Sequence, residues 1–241
     1  MREINVLGVS FLNESIQEAV EHGMVAMEEH KCAYAVAPDS EMLLEAKKNR
    51  RLMAAIDKAA LVLPEGNGII CASHILGMPI EHRICAIDFA SALMARMSEK
   101  GMSVFILGTD TDIVEPAAEN IRARYPGLRI VGSDDGYYTM DSDIIDAVNE
   151  AKPDLLLVAY GMPKQEIWMY RNRDALDAGL MLGFEGGLKM LAGVTKRAPK
   201  RWRDSGFEWL YRLVKEPWRL VRMLRQSQVV FTALWRRAFG N

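Results

Sequence analysis

Short apolar runs alternate with amphipathic stretches along most of this chain. The runs at Ile4–Val9, Ala33–Ala37, Ala60–Leu63, Ser103–Gly108, Arg129–Gly132, Asp154–Val158 and Leu180–Gly183 are nearly continuous in hydrophobicity and bounded by turn-forming residues, which predicts buried strands. Between them apolar residues recur at helical spacing over Ser15–Glu29, Glu41–Lys48, Arg51–Lys58, Ile69–Ile75, Asp88–Glu99, Asp112–Tyr125, Ser142–Ala151 and Lys164–Asp174. Strand and helix in alternation predict an α/β fold, a mostly parallel sheet flanked by helices on both faces. Such sheets hold ligands at the carboxyl ends of their strands, so the loops after Ala37, Leu63, Gly108, Gly132 and Tyr160 are where chemistry is expected. Beyond Arg197 the strand signals stop, and Phe207–Lys215, Pro217–Gln226 and Gln228–Phe239 read as helices.

Charge divides the chain in the same place. The 241 residues sum to a net charge of -2, yet residues 1–195 carry 18 Lys and Arg against 29 Asp and Glu, while residues 196–241 carry 12 against 3. Four of the five tryptophans also fall in the second stretch. Two units follow: an acidic α/β body over 1–195 and a basic, Trp-rich helical appendage over 196–241. Within the appendage Arg212, Lys215, Arg219 and Arg222 share one helical face, and Leu210, Leu213, Val214, Leu220, Val221 and Leu224 fall largely on another. A basic amphipathic segment with tryptophan suits an anionic membrane surface; an ordinary helical cap with solvated arginines gives the same pattern.

Several classes drop out. The first residues carry Glu3 and no long apolar core, unlike a signal peptide, so a cytoplasmic location is expected, and no run is apolar enough to span a bilayer. Cys32, Cys71 and Cys85 are odd in number, lack a CxxC spacing and read as core thiols. His22, His30, His74 and His82 form no HExxH or triad-like set, so neither a metal nor a cofactor is expected. The acidic body and the lack of a recognised module argue against a nucleic-acid partner. Assembly with copies of itself stays open.

Three strand ends carry candidate chemistry. Leu61–Leu63 is followed by Pro64-Glu65-Gly66-Asn67-Gly68, a carboxylate at the end of a buried strand beside glycines that admit a close ligand. Glu65 is placed as a general base, or equally as the cap of the next helix. Gly108 opens a strand-turn-helix junction at which free N–H groups can meet phosphate, although no GxGxxG or P-loop pattern is present. Asp135, Gly136 and Tyr137 offer a polar and aromatic surface for a base or sugar. Gln165, in Tyr160-Gly161-Met162-Pro163-Lys164-Gln165-Glu166, has an amide that both donates and accepts.

The ordered set Pro38-Asp39-Ser40-Glu41, Leu63–Gly68, Arg83 with Asp88, Tyr125-Pro126-Gly127-Leu128, Asp135-Gly136-Tyr137, Gly161–Glu166, Arg197-Ala198-Pro199-Lys200 and Glu208–Arg212 resembles the WecG/TagA/CpsF glycosyltransferases across essentially the whole chain. The resemblance implies a Rossmann-like enzyme that moves a sugar from a UDP donor to a polyprenyl-diphosphate-linked acceptor at the inner face of the cell membrane. N-acetylmannosamine passed to a GlcNAc-diphospholipid, as in teichoic acid linkage-unit synthesis, is the reaction of its TagA-like members. It further implies inverting chemistry with Glu65 as base, donor or acceptor contacts from Asp39, Asn67, Arg83, Asp88, Gly108, Asp135, Gly136, Tyr137 and Gln165, and a diphosphate held by Arg212, Arg219 and Arg222 in place of a metal. Three positions depart from the family pattern: Glu65 and Lys189 stand where Asp is usual, and Ala37-Pro38-Asp39 replaces a polar, Asn-containing loop. A non-catalytic relative that binds a UDP-sugar or a lipid diphosphate is the other reading of the same residues.

Overall fold

A computed structural model describes residues 1–108, 111–136, 141–195 and 220–239. Six of the predicted strands form one sheet: β3 (Ala33–Val36), β4 (Leu61–Val62), β5 (Ser103–Leu107), β6 (Arg129–Asp134), β7 (Leu155–Val158) and β8 (Leu180–Gly183). Their order is β4-β3-β8-β7-β5-β6, and every pairing is parallel. The first apolar run departs from expectation. Ile4–Val9 is not one strand of this sheet but parts of two, β1 (Glu3–Val6) and β2 (Val9–Leu12), joined in an antiparallel hairpin. Leu7 and Gly8 both adopt positive φ, 55° and 100°, the backbone that a two-residue hairpin turn requires.

Because successive strand residues point to opposite faces, the sheet divides the interior into two cores. Leu61, Val104, Ile106, Leu155, Leu157, Leu180 and Leu182 pack against α1 (Ile16–Glu29), α5 (Ala86–Glu99), α6 (Thr111–Arg124) and α9 (Glu185–Leu191). On the other face Tyr34, Val36, Phe105, Leu107, Leu156, Val158 and Met181 pack against α2 (Ser40–Ala46), α3 (Arg50–Asp57), α4 (Asn67–Ile75), α7 (Asp141–Ala151), α8 (Lys164–Asn172) and α10 (Leu220–Phe239), joined by the hairpin through Val6, Val9 and Phe11. Local signals agree with this layout at α1. Ser15 accepts from the Glu18 N–H while the Glu18 carboxylate accepts from the Ser15 N–H, a capping box that sets where the helix begins.

Two helical stretches differ from the sequence pattern. Gly186 and Gly187 disguise α9, but a Cβ on Gly187 would lie 2.1 Å from the Phe184 ring, so the glycine makes room for the buried aromatic that caps the helix. The expected break between Gln226 and Gln228 is absent, and α10 runs through it; Val229 and Ala233 are fully buried where α10 lies on α4 and α2. Of the cysteines, Cys32 and Cys85 are buried as expected, whereas Cys71 on α4 is exposed.

The amino edge of the sheet is closed by Asp154. Its Oδ2 accepts from both the N–H and the Oγ–H of Ser103 at 2.7 Å, tying the starts of β5 and β7 together. With that end stapled and all six strands parallel, every loop at the other edge follows a strand carboxyl end. Leu157 is fully buried in the centre of the sheet. Leu157→Ala should therefore lower stability by about 2–5 kcal/mol in urea or thermal unfolding.

Candidate active site

The loops after β3 and β4 meet backbone to backbone. A Cβ on Gly66 would lie 3.0 Å from Asp39 Cα and 3.2 Å from the Ser40 nitrogen, so glycine is what lets these two loops touch. Asp39 caps α2, its Oδ1 accepting from the Met42 N–H at 2.9 Å. The N-cap of α4 is Gly66, with Glu65 one residue before it. The segment carrying Arg83 is tied to the same loop by the Ile84 N–H donating to the Pro64 carbonyl at 3.0 Å. Arg83 then donates from Nη1 to Asn67 Oδ1 at 2.9 Å and from Nη2 to Cys85 Sγ at 2.7 Å. Burial pushes the Cys85 thiol up; the guanidinium opposes this, and the carboxylates of Glu65 and Asp88 add to it. Glu65, Arg83 and Asp88, scattered over 24 residues of sequence, thus all lie near Cys85, with Asn67 bonded to Arg83.

At the centre of the edge sits the first turn of α8. Gln165 Oε1 accepts from the Gly161 N–H at 3.2 Å, and its Nε2 donates to Glu166 Oε1 at 2.8 Å. The end of β8 approaches so closely that a Cβ on Gly183 would lie 3.0 Å from Gln165 Nε2. Glu166 is 1% exposed, and its Oε2 is buried without a hydrogen-bond partner among the described residues. Burial pushes the carboxyl above its usual range; the Gln165 amide and the Glu166 backbone N–H oppose this, and the nearby carboxylates of Asp39 and Glu185 reinforce it. Glu185 opens α9 and is paired with Lys189, the residue that stands where the family usually has Asp.

Tyr160 occupies the β5–β6 side. Gly108 (φ 93°) and Gly136 (φ 72°) both use the backbone region that favours glycine, and a Cβ on either would strike the Tyr160 ring, at 3.0 and 2.3 Å. The ring stands edge-on to Trp168 at 5.6 Å. The Gly108 N–H itself donates to the Asp134 carbonyl at 2.8 Å, as β6 runs on to Asp134, two residues past the expected Gly132. The Gly136 N–H is also taken, by Asp134 Oδ1 at 2.7 Å, and Asp135 is half-buried beside it.

The structure therefore brings Asp39, Glu65, Asn67, Arg83, Asp88, Gln165, Gly108, Asp135 and Gly136 to one edge of the sheet. Tyr137, Arg212 and Arg219 lie outside the described residues, and Arg222 falls on α10 with its side chain outside them. Sequence reasoning missed Tyr160, Glu166 and Glu185. Glu166 was visible only as an acid in a helix's first turn, a position where acids are ordinarily solvated. A surface cavity of about 490 Å³ lined by Arg50, Arg51, Tyr170 and Arg171 lies on the flank between α3 and α8, away from these groups. Among the described residues no three His, Cys, Asp or Glu side chains are grouped to hold a metal ion.

Fold and edge together define an open α/β sheet whose charged and polar loops gather at the strand carboxyl ends, where such sheets hold ligands. Residues 4–241 match the sequence profile of the glycosyl transferase WecG/TagA/CpsF family, and the chain belongs to that family. Among its relatives is an N-acetylglucosaminyldiphosphoundecaprenol N-acetyl-beta-D-mannosaminyltransferase of Bacillus spizizenii, 29% identical over 227 residues that cover 94% of this chain and 88% of the relative. A Staphylococcus aureus (strain MW2) protein of the same name is 28% identical over 230 residues, covering 94% and 90%.

The state of Glu166 has a measurable signature. With its folded pKa above the unfolded one, the native protein binds the extra proton; the associated stability is full below the ordinary carboxyl range and falls as pH rises toward the folded value. Unfolding followed across pH should show wild-type stability declining relative to Glu166→Gln through that window, then running parallel above it.

Proposed function

We propose that this chain is an inverting transferase that moves N-acetylmannosamine from its UDP donor onto a GlcNAc-diphospho-polyprenol, an acceptor of the kind named for its relatives. The observation that carries this reading is the convergence of Glu65, Asn67, Arg83 and Asp88 at the end of β4, where the loop after β3 also arrives. Glu65 takes the proton of the acceptor hydroxyl as that oxygen attacks the anomeric carbon. The bond from that carbon to the donor phosphate breaks on the opposite side, and UDP leaves with the electron pair. Glu in place of the usual Asp keeps the carboxylate and extends it by one methylene, which the acceptor's seat must accommodate. Asp135, Gly136, Tyr137 and Gln165 line the remainder of the donor and acceptor sites. Negative charge gathering on the leaving diphosphate is met by Arg212, Arg219 and Arg222 of the appendage, whose planar, permanently charged forks suit phosphate oxygens.

A lipid-linked acceptor requires the enzyme to work at a membrane surface. No helix among the described residues is long and apolar enough to cross a membrane. On α10, however, Phe231, Leu234, Trp235 and Phe239 are 66, 47, 64 and 76% exposed, on the side turned away from buried Val229 and Ala233. Such a stripe on a helix ending in Arg236 and Arg237 fits shallow insertion into an anionic leaflet. This reading places the protein peripherally on the inner face of the cell membrane.

Two measurements test these assignments. Glu65→Gln should lower kcat for transfer from UDP-N-acetylmannosamine to a GlcNAc-diphospholipid analogue by about 10²–10⁴-fold with the fold intact; equal rates would remove Glu65 from the chemistry. Phe231→Ser combined with Trp235→Ser should weaken sedimentation with phosphatidylglycerol vesicles about tenfold or more while leaving thermal unfolding unchanged. Undiminished sedimentation would exclude the α10 stripe as the contact.

A further inference from the structure

We propose that Glu166 is a positioning residue for sugar transfer: as a neutral carboxylic acid it locks the Gln165 amide at the end of β8 and keeps a third negative charge out of the space between Asp39 and Glu185. The inference deepens the transferase reading above and rests on it for the reaction.

The Gly161 N–H can only donate, so the side-chain oxygen of Gln165 is the atom that faces it, at 3.2 Å. That leaves Nε2 facing Glu166 Oε1 at 2.8 Å, and Oε1 must accept. A flipped amide would set N–H against N–H at Gly161. Glu166 thereby holds one end of the Gln165 amide, and the backbone of Gly161 holds the other. Gln165 retains one N–H and one lone pair, a matched donor and acceptor for a hydroxyl or carbonyl of a ligand at this edge.

The second oxygen decides the charge. Oε2 is out of contact with solvent and has no partner among the described residues, in a side chain that is 1% exposed. A charged oxygen so enclosed is among the least favourable arrangements a protein can contain, and a proton on Oε2 relieves it. The Gln165 amide and the Glu166 backbone N–H favour the charged form, and burial with the neighbouring acids outweighs them. Asp39 at the start of α2 and Glu185 at the start of α9 are both acids, Lys189 is engaged with Glu185, and Gln165 is neutral. No cation among the described residues pairs with Glu166. Ionisation would therefore place negative charge beneath an edge that has to receive an anionic diphosphate. Because Oε2 is enclosed, Glu166 acts through Gln165 and through the local field and not by touching the substrate.

The test uses the purified full chain as wild type, Glu166→Gln and Glu166→Ala. The infrared difference between wild type and Glu166→Gln at neutral pH should contain the carbonyl stretch of a protonated carboxylic acid. In transfer assays Glu166→Gln, which reproduces the neutral acid in size and polarity, should stay within about threefold of wild type, while Glu166→Ala should lose about tenfold or more in kcat/KM. Absence of the infrared band would overturn the proposal however active the enzyme is. A glutamine variant as impaired as the alanine one would also overturn it, because an ionised carboxylate would then be what the site needs, and so would an alanine variant with full activity. Should Glu166→Ala fail to fold, the glutamine variant and the infrared band decide. A band in a chain that transfers no sugar would sink the assigned reaction and support the proton's placement.

Discussion

A parallel strand buried on both faces has no freedom to place its loops. Each of the six strands must satisfy its backbone within the ladder and its side chains within one of two cores, so all run the same way and all end at the same edge. That constraint gathers chemistry from Asp39 to Glu185 along a single line. Asp154, bridging Ser103 at the opposite edge, anchors the starts of the two strands whose ends present Gly108 and Tyr160. The site is a consequence of the sheet before any single residue is considered.

Close approach between the loops is then a matter of missing side chains. Gly66 brings the β4 loop against Asp39, Gly183 lets β8 lie against Gln165, and Gly108 and Gly136 make space for the Tyr160 ring. Each is a place where one methyl group would push two chemistry-bearing segments apart. The edge is consequently tight and largely self-bonded: Asp39 caps a helix, Gln165 is held at both ends of its amide, and Arg83 is spread between Asn67 and Cys85. Groups held in this way reach a ligand with little reorganisation, which is what electrostatic catalysis requires.

Charge follows the same division of labour. The body is acidic, and its site edge concentrates Asp39, Glu65, Asp88, Glu166 and Glu185 around Arg83 and Lys189. The chain's surplus of positive charge lies elsewhere, in residues 196–241. The last helix of that stretch is no loose tail. It is seated on α2 and α4 through Val229 and Ala233, with Arg237 donating to the Ile75 carbonyl at the end of α4. Its seat leaves the Phe231–Trp235 stripe facing outward.

The apolar rhythm of the sequence was sufficient for the sheet, its parallel character, the edge to search and, through an ordered series of motifs, the family. Those features are local: a buried strand or an amphipathic helix is written in neighbouring residues. Local pattern failed where a single glycine or distant residues set the outcome. Gly8 turned one apolar run into a hairpin, and Phe184 required the glycine that hid α9. Burial of Val229 and Ala233 against helices more than 150 residues earlier carried α10 through an expected break. Glu166 is the sharpest case. An acid in a helix's first turn belongs in water by every local rule, and only the fold, which brings Asp39 from the end of β3 and Glu185 from the end of β8 beside it, encloses it. Sequence determined which groups this edge contains; the tertiary structure decided which of them are withdrawn from water, because desolvation depends on everything that surrounds a group and not on its neighbours along the chain.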